Sequence, residues 1–330
     1  MHFRVTGDPK EGVTANEGSR SEEGGTKRTV YAALVANLLI AAAKFVAGFA
    51  SGSSAMLAEG VHSVADTVNQ GFLLVGLRTS KRDPDEEHPF GHGQDQFFWS
   101  FLVAVLIFFA GGGFAIYQGI ASILGEPTDH GSFLINYLVL GAAFVFEGSA
   151  LAISIREFRR AARAEGRPFW EHFKTTPNTT MKVPLYEDAA ALTGLVIAAV
   201  GLLLLQATGN EIFDGLASIC IGFLLLFVAW ELGTDSRRLL LGEAILPEDR
   251  RRVREVMLSF PEVTEVLRLL TMHLGPKSVL VTAEIHVVDG IDTDGIEDLL
   301  ERMSKEIRQE VPEVAQTFIE PHPARQENRS

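Results

Sequence analysis

Residues 59–70 read EGVHSVADTVNQ, and this stretch decides how the rest of the chain is interpreted. It lies inside an apolar run over residues 54–77, which is long enough to cross a bilayer as a helix. Its polar members are spaced by three, four and three residues, so that one helix face carries Glu59, His62, Asp66 and Asn69. Ionisable groups in hydrocarbon are costly and normally face a polar cavity or a partner. The stretch therefore predicts a membrane helix with a polar, functional face.

His62 and Asp66 stand one helical turn apart, and together they offer a nitrogen and an oxygen ligand to one cation. The alternative is a helix that starts with polar residues and lies outside the membrane. The flanking sequence argues against it, because the chain has six apolar segments, each close to the roughly 20 residues that a spanning helix needs. These segments cover about 29–51, 54–77, 97–124, 133–155, 183–205 and 212–232.

The connections between these segments alternate in charge. Lys and Arg are absent from residues 51–53, 125–132 and 206–211, and they are present in the other connections and at both outer flanks. By the positive-inside rule, both termini are then cytoplasmic. Residues 1–28 lack the apolar core of a signal peptide and are expected to form a disordered cytosolic tail. The expected location is therefore a prokaryotic cell (inner) membrane, which the protein crosses several times.

The composition fits a chain with an apolar, membrane-embedded part and a charged, water-facing part. The chain is 47% hydrophobic, yet its formal net charge is −13. This acidic balance argues against nucleic acid as a partner, because nucleic-acid binding calls for a basic patch. After residue 234 the composition becomes that of a soluble domain.

The C-terminal part predicts the order helix, strand, strand, helix, strand. The two helices cover 247–260 and 293–310, and the three strands cover 266–272, 278–288 and 314–319. A turn at Gly275 and Pro276 joins the first two strands. The αββαβ order favours a small open-faced α+β sandwich.

Several motifs resemble the cation diffusion facilitator family of zinc-transporter-like metal/proton antiporters. They are HSVAD at 62–66, HPFGHG at 88–93, FDGLAS at 213–218, LLGEA at 240–244 and IEP at 319–321. The stretches EGSALAISIREFRR and LYEDAAALTGLVIA resemble the branch of zinc-transporter-9-like proteins. The resemblance implies six transmembrane helices, a cytosolic ferredoxin-like domain and a homodimer. It also implies export of a divalent metal from the cytosol in exchange for protons.

We therefore divide the chain into three parts. Residues 1–28 form the tail, residues 29–233 the six-helix transport domain, and residues 234–330 the cytosolic dimerisation domain. The resemblance implies a transport site with two ligands from the fifth span, a His or Asp followed four residues later by Asp. Asp188 matches the second position, but the first falls on Pro184, which cannot bind metal.

The set His62, Asp66 and Asp188 is thus one ligand short. Glu187 is the nearest further carboxylate, although it sits about 100° round the helix from Asp188. A helix start loosened by Pro184 would let both carboxylates turn inward. Glu187, Asn69 or water completes the site in this interpretation. The alternative makes Glu187 a residue at the cytosolic end that pairs with a basic loop.

Asp85, His88 and His92 follow the second segment at a spacing that suits metal ligation if the loop coils. The resemblance implies a second metal site here in some relatives. The alternative is a Pro- and Gly-containing loop with solvated histidines.

The cytosolic domain is expected to be a metal-poor dimerisation module. Phe318 stands where relatives usually carry a histidine before the terminal Glu-Pro. His273, His286 and His322 remain, but a lone histidine on a strand is more often structural than a ligand.

Two further charges lie within the apolar segments, Lys44 in the first and Glu147 in the fourth. Because an unpaired charge is costly in lipid, a Lys–carboxylate pair or a water-lined cavity is expected. In the alternative, Lys44 snorkels to the outer interface and Glu147 faces the cavity.

These features favour a secondary transporter that works by alternating access. Its substrate is a divalent cation, Zn²⁺ first and Mn²⁺, Fe²⁺ or Co²⁺ behind, and no resident cofactor is expected. One rival is a membrane metal sensor or scaffold that binds without transport, but a sensor needs no intramembrane ligands. Another is a membrane enzyme, against which the segments contain no HExxH motif.

Overall fold

The computed structural model describes residues 37–125 and 133–323. The predicted tail, the first part of the first apolar segment and most of the connection after Gly125 lie outside the described residues. Within the described part, the membrane-type region consists of helices α1 (Asn37–Ser51), α2 (Ser54–Thr79), α3 (Asp95–Leu124), α4 (Phe133–Ala164), α5 (Phe169–Thr175), α6 (Thr179–Thr208) and α7 (Ile212–Leu240). The C-terminal region consists of α8 (Pro247–Ser259), β1 (Val263–Gly275), β2 (Ser278–Val287), α9 (Thr293–Glu310) and β3 (Val314–Pro323).

Four helices of the described part, α3, α4, α6 and α7, are long and apolar enough to cross a membrane. Helix α2 is 26 residues long but carries the polar face, and the described part of α1 is shorter. Several helices continue beyond their apolar segments, since α4 ends at Ala164 and α6 begins at Thr179. Helix α7 continues to Leu240, past the predicted domain boundary at residue 233. Hydropathy identifies only the apolar part of such a helix, so the extension of these helices into polar sequence was not predicted.

Small residues bring α3 and α7 close together. A Cβ on Gly112 would lie 2.7 Å from the Leu226 side chain, and one on Gly119 would lie 2.5 Å from the carbonyl oxygen of Gly215. Only glycine fits at such a distance, so Gly112 and Gly119 permit the close approach of the two helices. Residues Ile107–Gly113, which include Gly112, adopt a π-helical turn within α3.

The start of α2 is fixed to α7 by Asp214. The hydroxyl of Ser53 donates to its Oδ1 at 2.6 Å, and the backbone N–H of Ser54 donates to its Oδ2 at 2.6 Å. A carboxylate at a helix N-terminus satisfies free N–H groups and complements the helix dipole. Asp214 therefore anchors the helix that carries the polar face.

The C-terminal region is a three-stranded sheet with α8 and α9 on one face. Strand β2 lies in the centre, antiparallel to β1 and parallel to β3. Its residues alternate between buried and half-buried along its whole length, as expected when one sheet face is covered. The covered face packs against fully buried residues of the two helices, Val253, Met257, Leu299, Met303 and Ile307. The predicted order αββαβ is confirmed.

Candidate metal site

The polar face of α2 points into the protein. Glu59 and Asn69 are fully buried, and His62 and Asp66 have exposed fractions of 1% and 8%. The Nδ1 atom of His62 lies 3.4 Å from Oδ1 of Asp66. The predicted juxtaposition of an imidazole and a carboxylate on one helix turn is therefore present.

Several atoms on this face are buried without a hydrogen-bond partner. They are both ring nitrogens of His62, Oδ1 of Asp66 and Oδ1 of Asn69. A buried polar atom without a partner costs free energy, so most buried polar atoms in proteins are paired. The two oxygens and one ring nitrogen of the neutral imidazole each have a lone pair to offer, which is the chemistry of a cation site.

Glu187 and Asp188 reach this region from α6, but they face different neighbours. The amide of Asn69 donates to Oε1 of Glu187 at 2.6 Å, so Glu187 faces α2. Ser154 of α4 donates to Oδ2 of Asp188 at 2.6 Å. The two directions agree with the angle of about 100° between consecutive helix positions. The expectation that both carboxylates turn to one side is not met.

The position of Pro184 explains why Glu187 and Asp188 face different neighbours. Pro184 lies inside α6, which begins at Thr179, and not at a loosened helix start. The regular helix that follows keeps Glu187 and Asp188 apart in direction. Glu187 also has Asn69 as its partner, whereas the basic residue nearest in sequence, Lys182, pairs with Asp235 at 2.7 Å.

Ser154 contacts the predicted ligand Asp188, and the sequence reasoning did not identify it. It lies two helical turns after Glu147 on α4, and therefore on the same helix face as that intramembrane carboxylate. The seven-residue spacing between the two polar side chains was the signal that could have found it.

The predicted transport ligands are close enough to act on one another electrostatically, but their ligand atoms do not form one compact cluster. The charges that act on Asp66 include those of Glu187 and Asp188. Among the described residues, however, the one set of three His, Cys, Asp or Glu ligand atoms within 4.8 Å of one another is Asp85, His88 and His92. In this conformation the ligand atoms of His62, Asp66 and Asp188 are therefore not all within 4.8 Å of one another.

The predicted loop ligands converge on the Asp85 carboxylate. His88 Nδ1 lies 3.2 Å from Oδ1 of Asp85, and His92 Nε2 lies 3.0 Å from its Oδ2. The hydrogen bond with His92, and then the bond from the backbone N–H of His88, hold the pKa of Asp85 at about 2. The carboxylate is therefore ionised at neutral pH and ready to share a cation with both rings.

This loop also touches the C-terminal domain. The ring of Phe90 meets that of Phe318 edge-on, with centroids 6.5 Å apart. Gly93 packs directly against the carbonyl of Leu274, leaving no space for a side chain. The loop that carries Asp85 is thus held between the membrane helices and the sheet.

Lys44 forms the Lys–carboxylate pair expected for a charge within an apolar segment. Its ammonium is fully buried, donates to Oε2 of Glu59 at 3.1 Å and to the Ser63 hydroxyl at 2.8 Å, and lies 3.8 Å from Oε1 of Glu147. Snorkelling to the outer interface was the wrong alternative, because these partners keep the ammonium inside.

Within the described residues, 37–125 and 133–323, no histidine of the C-terminal domain belongs to a cluster of three potential metal ligands. His273 is buried, and burial lowers the pKa of its imidazole. His286 and His322 are neighbours across β2 and β3, and His322 Nε2 lies 3.6 Å from Oε1 of Glu320. That the domain binds little metal stays a prediction.

Comparison with known families accounts for both parts of the chain. Residues 30–241 match the cation efflux transmembrane domain, and residues 245–324 match the cytoplasmic domain of cation efflux proteins. The chain belongs to the cation efflux family. The resemblance inferred from its motifs is thereby confirmed, and the membrane-type helices and the C-terminal sheet domain correspond to the two matched domains of this family.

One of the similar relatives is named as a zinc antiporter. The chain is 33% identical over 301 residues to the mitochondrial proton-coupled zinc antiporter SLC30A9 of Mus musculus, covering 90% of this chain and 53% of that protein. It is 34% identical over 260 residues to metal tolerance protein C4 of Arabidopsis thaliana, covering 79% of this chain and 57% of that protein. The chain thus spans about half the length of these two relatives.

A more distant member has nearly the same length as this chain. The manganese efflux system protein MneP of Bacillus subtilis is 23% identical over 301 residues, covering 90% of this chain and 96% of that protein. The cation efflux family therefore includes relatives named for zinc and for manganese.

Proposed function

We propose that this protein is a secondary transporter that exports a divalent metal cation from the cytosol in exchange for protons. His62, Asp66 and Asp188 hold the ion within the helix bundle, and Glu187 or Asn69 completes its coordination. The observation that carries the proposal is the buried face of α2, on which His62, Asp66 and Asn69 present unpartnered atoms toward the carboxylates of α6. A charged site inside an apolar bundle serves an ion that passes through it.

In the described conformation the proposed ligands are then not yet gathered around one point, and we call this the open conformation. Asp188 is engaged by Ser154, and Glu187 is engaged by Asn69. In this proposal, metal binding brings the carboxylate of Asp188 closer to His62 and Asp66. A modest rotation or shift of α6 against α2 and α4 brings this about, which links occupancy to alternating access.

Proton exchange follows from the chemistry of the ligands. An imidazole must be neutral and a carboxylate ionised to bind a metal, so protons and metal compete for the same atoms. Loading from a neutral cytosol and release toward a more acidic side then exchange metal for protons.

Zn²⁺ is the favoured substrate, with Mn²⁺ second and Fe²⁺ and Co²⁺ behind. An imidazole with two carboxylates suits Zn²⁺, while a carboxylate-rich site that includes Glu187 also accepts Mn²⁺ or Fe²⁺. The relatives named for zinc and manganese support the same two metals. The metal is cargo, and the proposed transporter performs no enzymatic reaction on it.

The proposal includes six transmembrane helices, with α1 and α2 crossing the bilayer beside the four apolar helices. The C-terminal domain is then a cytosolic ferredoxin-like domain that joins two copies of the chain in a homodimer. We place the protein in the cytoplasmic membrane. Because basic residues are confined to alternate loops, both of its termini then lie on the cytoplasmic side.

The test is transport by the purified protein in sealed vesicles with a metal-sensitive dye inside. Zn²⁺ uptake with alkalinisation of the vesicle interior supports antiport, because protons leave as the metal enters, whereas acidification of the interior would contradict it. Uptake with no accompanying pH change would exclude proton exchange, and absence of uptake of Zn²⁺, Mn²⁺, Fe²⁺ and Co²⁺ would exclude metal transport.

A second candidate function is metal sensing without transport. It is favoured by the loop set Asp85, His88 and His92, which is already assembled and contacts the C-terminal domain through Phe90 and Phe318. In the transporter interpretation the same set is an accessory metal site. The vesicle experiment separates the two, because a sensor binds metal and carries none across the membrane.

A further inference from the structure

A second buried charge cluster lies on the same helix bundle and is not needed to ligate metal. Lys44 of α1 stands between Glu59 of α2 and Glu147 of α4, at 3.1 Å and 3.8 Å from their nearest oxygens. The side chains of Lys44 and Glu59 are fully buried, and that of Glu147 is 10% exposed. These three residues, called the Lys44 triad below, bring three separate helices to one point.

The formal charge of the triad does not balance. One ammonium and two carboxylates sum to −1, in a place where an uncompensated charge is costly. One proton makes the triad neutral. No second cation is close enough to pair with it among the described residues, since Lys44 is the cation recorded beside both carboxylates.

The surrounding charges increase the need for that proton. The ionisable groups nearest to the triad on the helices packed around it are His62 and Asp66 on α2, and Glu187 and Asp188 on α6. Three of these are carboxylates, and like charges in a shared low-dielectric site disfavour full ionisation.

The two carboxylates of the triad are not equivalent. Glu59 is closer to Lys44, and its other oxygen, Oε1, is buried without a partner against Gly194 of α6. Glu147 is farther from the ammonium and has the only exposed fraction of the three side chains. Because Lys44 neutralises Glu59 at the shorter distance, the extra proton belongs on Glu147, while Lys44 and Glu59 remain an ion pair.

We propose that the Lys44 triad is a proton-binding site, separate from the metal ligands, in which Glu147 takes up and releases the proton. Uptake forms one O–H bond on the Glu147 carboxylate and neutralises the triad, and release returns the proton to water. In the neutral form α1, α2 and α4 meet without excess charge. In the ionised form the excess charge favours a cation nearby, at His62 and Asp66.

This proposal rests on the proposed antiport, and it adds a proton to the exchange beyond those displaced from the metal ligands. The linkage is reciprocal, because a proton on Glu147 weakens metal binding by the same factor by which metal weakens proton binding. Glu147 therefore sets part of the proton-to-metal ratio without touching the metal.

The proton itself is tested by infrared difference spectroscopy of the full-length protein during a pH titration without metal. Wild type should show carbonyl bands of protonated carboxylic acids that disappear on alkalinisation, to which the metal-free ligands also contribute. Glu147→Gln should lose one component of these bands, and Glu301→Gln, on the exposed face of α9, should keep them all. A band unchanged in Glu147→Gln would overturn the assignment, and Glu59→Gln then shows whether Glu59 carries the proton instead.

The coupling is tested by measuring metal and proton fluxes together in vesicles. Glu147→Gln should bind Zn²⁺ with a Kd within about tenfold of wild type, but should move about one proton fewer for each metal ion. An unchanged ratio in Glu147→Gln would overturn the proposal even if antiport holds. A wild type that moves metal without protons would instead refute the antiport, while the infrared band still decides whether the triad holds a proton.

Discussion

Asn69 and Glu187 are joined by a hydrogen bond of 2.6 Å, which the amide of Asn69 donates to Oε1 of Glu187. This bond links the polar face of α2 to α6 at the place where the sequence departs from the expected pattern of ligands. It leaves Asp188, the next residue, directed toward Ser154 of α4. Glu187 thus has a structural partner in the open conformation, and its part in metal binding is open to direct test.

Glu187→Gln is expected to keep metal binding within about tenfold of wild type, or roughly 1.4 kcal/mol. Glutamine retains an oxygen that accepts the Asn69 hydrogen bond, and Asp66 and Asp188 already supply two negative charges for a divalent ion. Asp188→Asn should lose binding outright, because it removes one of those charges. The measurement is Zn²⁺ titration by calorimetry at fixed pH. Equal loss in both variants would make Glu187 an obligatory ligand.

Asp66→Ala is expected to abolish metal transport while expression and assembly remain normal. The change removes a charged ligand and little packing volume from α2. Val68→Ala is a matched control on the same helix, since Val68 is 40% exposed and lies away from the buried face. Vesicle uptake of Zn²⁺ measures the effect. A wild-type rate in Asp66→Ala would refute the assignment of this face as the transport site.

The double variant His88→Ala/His92→Ala should bind fewer metal ions per chain but retain slow transport. It removes both rings that meet at the Asp85 carboxylate and leaves the buried face of α2 intact.

The pKa of Asp85 is held at about 2, below its ordinary value of 3.8, so this carboxylate protonates only as the pH falls toward 2. Metal release from the loop between pH 7 and pH 5 therefore cannot come from Asp85. Calorimetry gives the stoichiometry, and an unchanged value would favour solvated histidines.

The sequence predicted the features that depend on local spacing. The interval of three, four and three residues placed Glu59, His62, Asp66 and Asn69 on one buried face, because helix periodicity is fixed by the backbone. Alternation along the strands likewise predicted the αββαβ order. Which pairs meet across helices was only partly predictable. A Lys–carboxylate pair was expected for Lys44 and Glu147, but the closer partner of Lys44 is Glu59 on α2, at 3.1 Å, which was not predicted.

The directions of Glu187 and Asp188 show a second limit. From the sequence, Pro184 predicts a weakened helix start, because proline removes a backbone hydrogen bond in a helix interior. Residues 179–183 nevertheless form helix before it, so the register of α6 is fixed upstream of the proline. The hydrogen bonds from Asn69 and Ser154 then determine which side each carboxylate faces. Neither bond has a signature within α6 itself.

Gly194→Ala is expected to destabilise the folded protein by about 1–3 kcal/mol, the usual cost of overpacking a well-packed site. Its Cβ would collide with Oε1 of Glu59 and push that carboxylate away from Lys44. Gly141→Ala is the matched control, since a Cβ on Gly141 of α4 meets nothing within 4 Å. Thermal unfolding in detergent compares the two variants. Equal stability of Gly194→Ala and wild type would mean that Glu59 has room to move.

A fragment of residues 241–330 should fold and dimerise without metal. Helix α7 ends at Leu240, so the fragment starts after the last membrane-type helix. It contains its own core, with Val253, Met257 and Leu299 fully buried. Its exposed sheet face carries Phe318, 56% exposed, at the position where the family resemblance implies a histidine in relatives. Apolar contact rather than a bridging metal ion is then the force that holds two copies together.

Light scattering coupled to gel filtration measures the fragment's mass with a chelator present and again with added Zn²⁺. The expected result is one dimer peak in both conditions. Phe318→Asp should shift the equilibrium toward monomer, because it places a charge within the apolar contact. Leu258→Asp on α8 is the control, since Leu258 is 45% exposed and lies on the other side of the sheet. A monomer that dimerises only when Zn²⁺ is added would show that this domain uses metal at its interface after all.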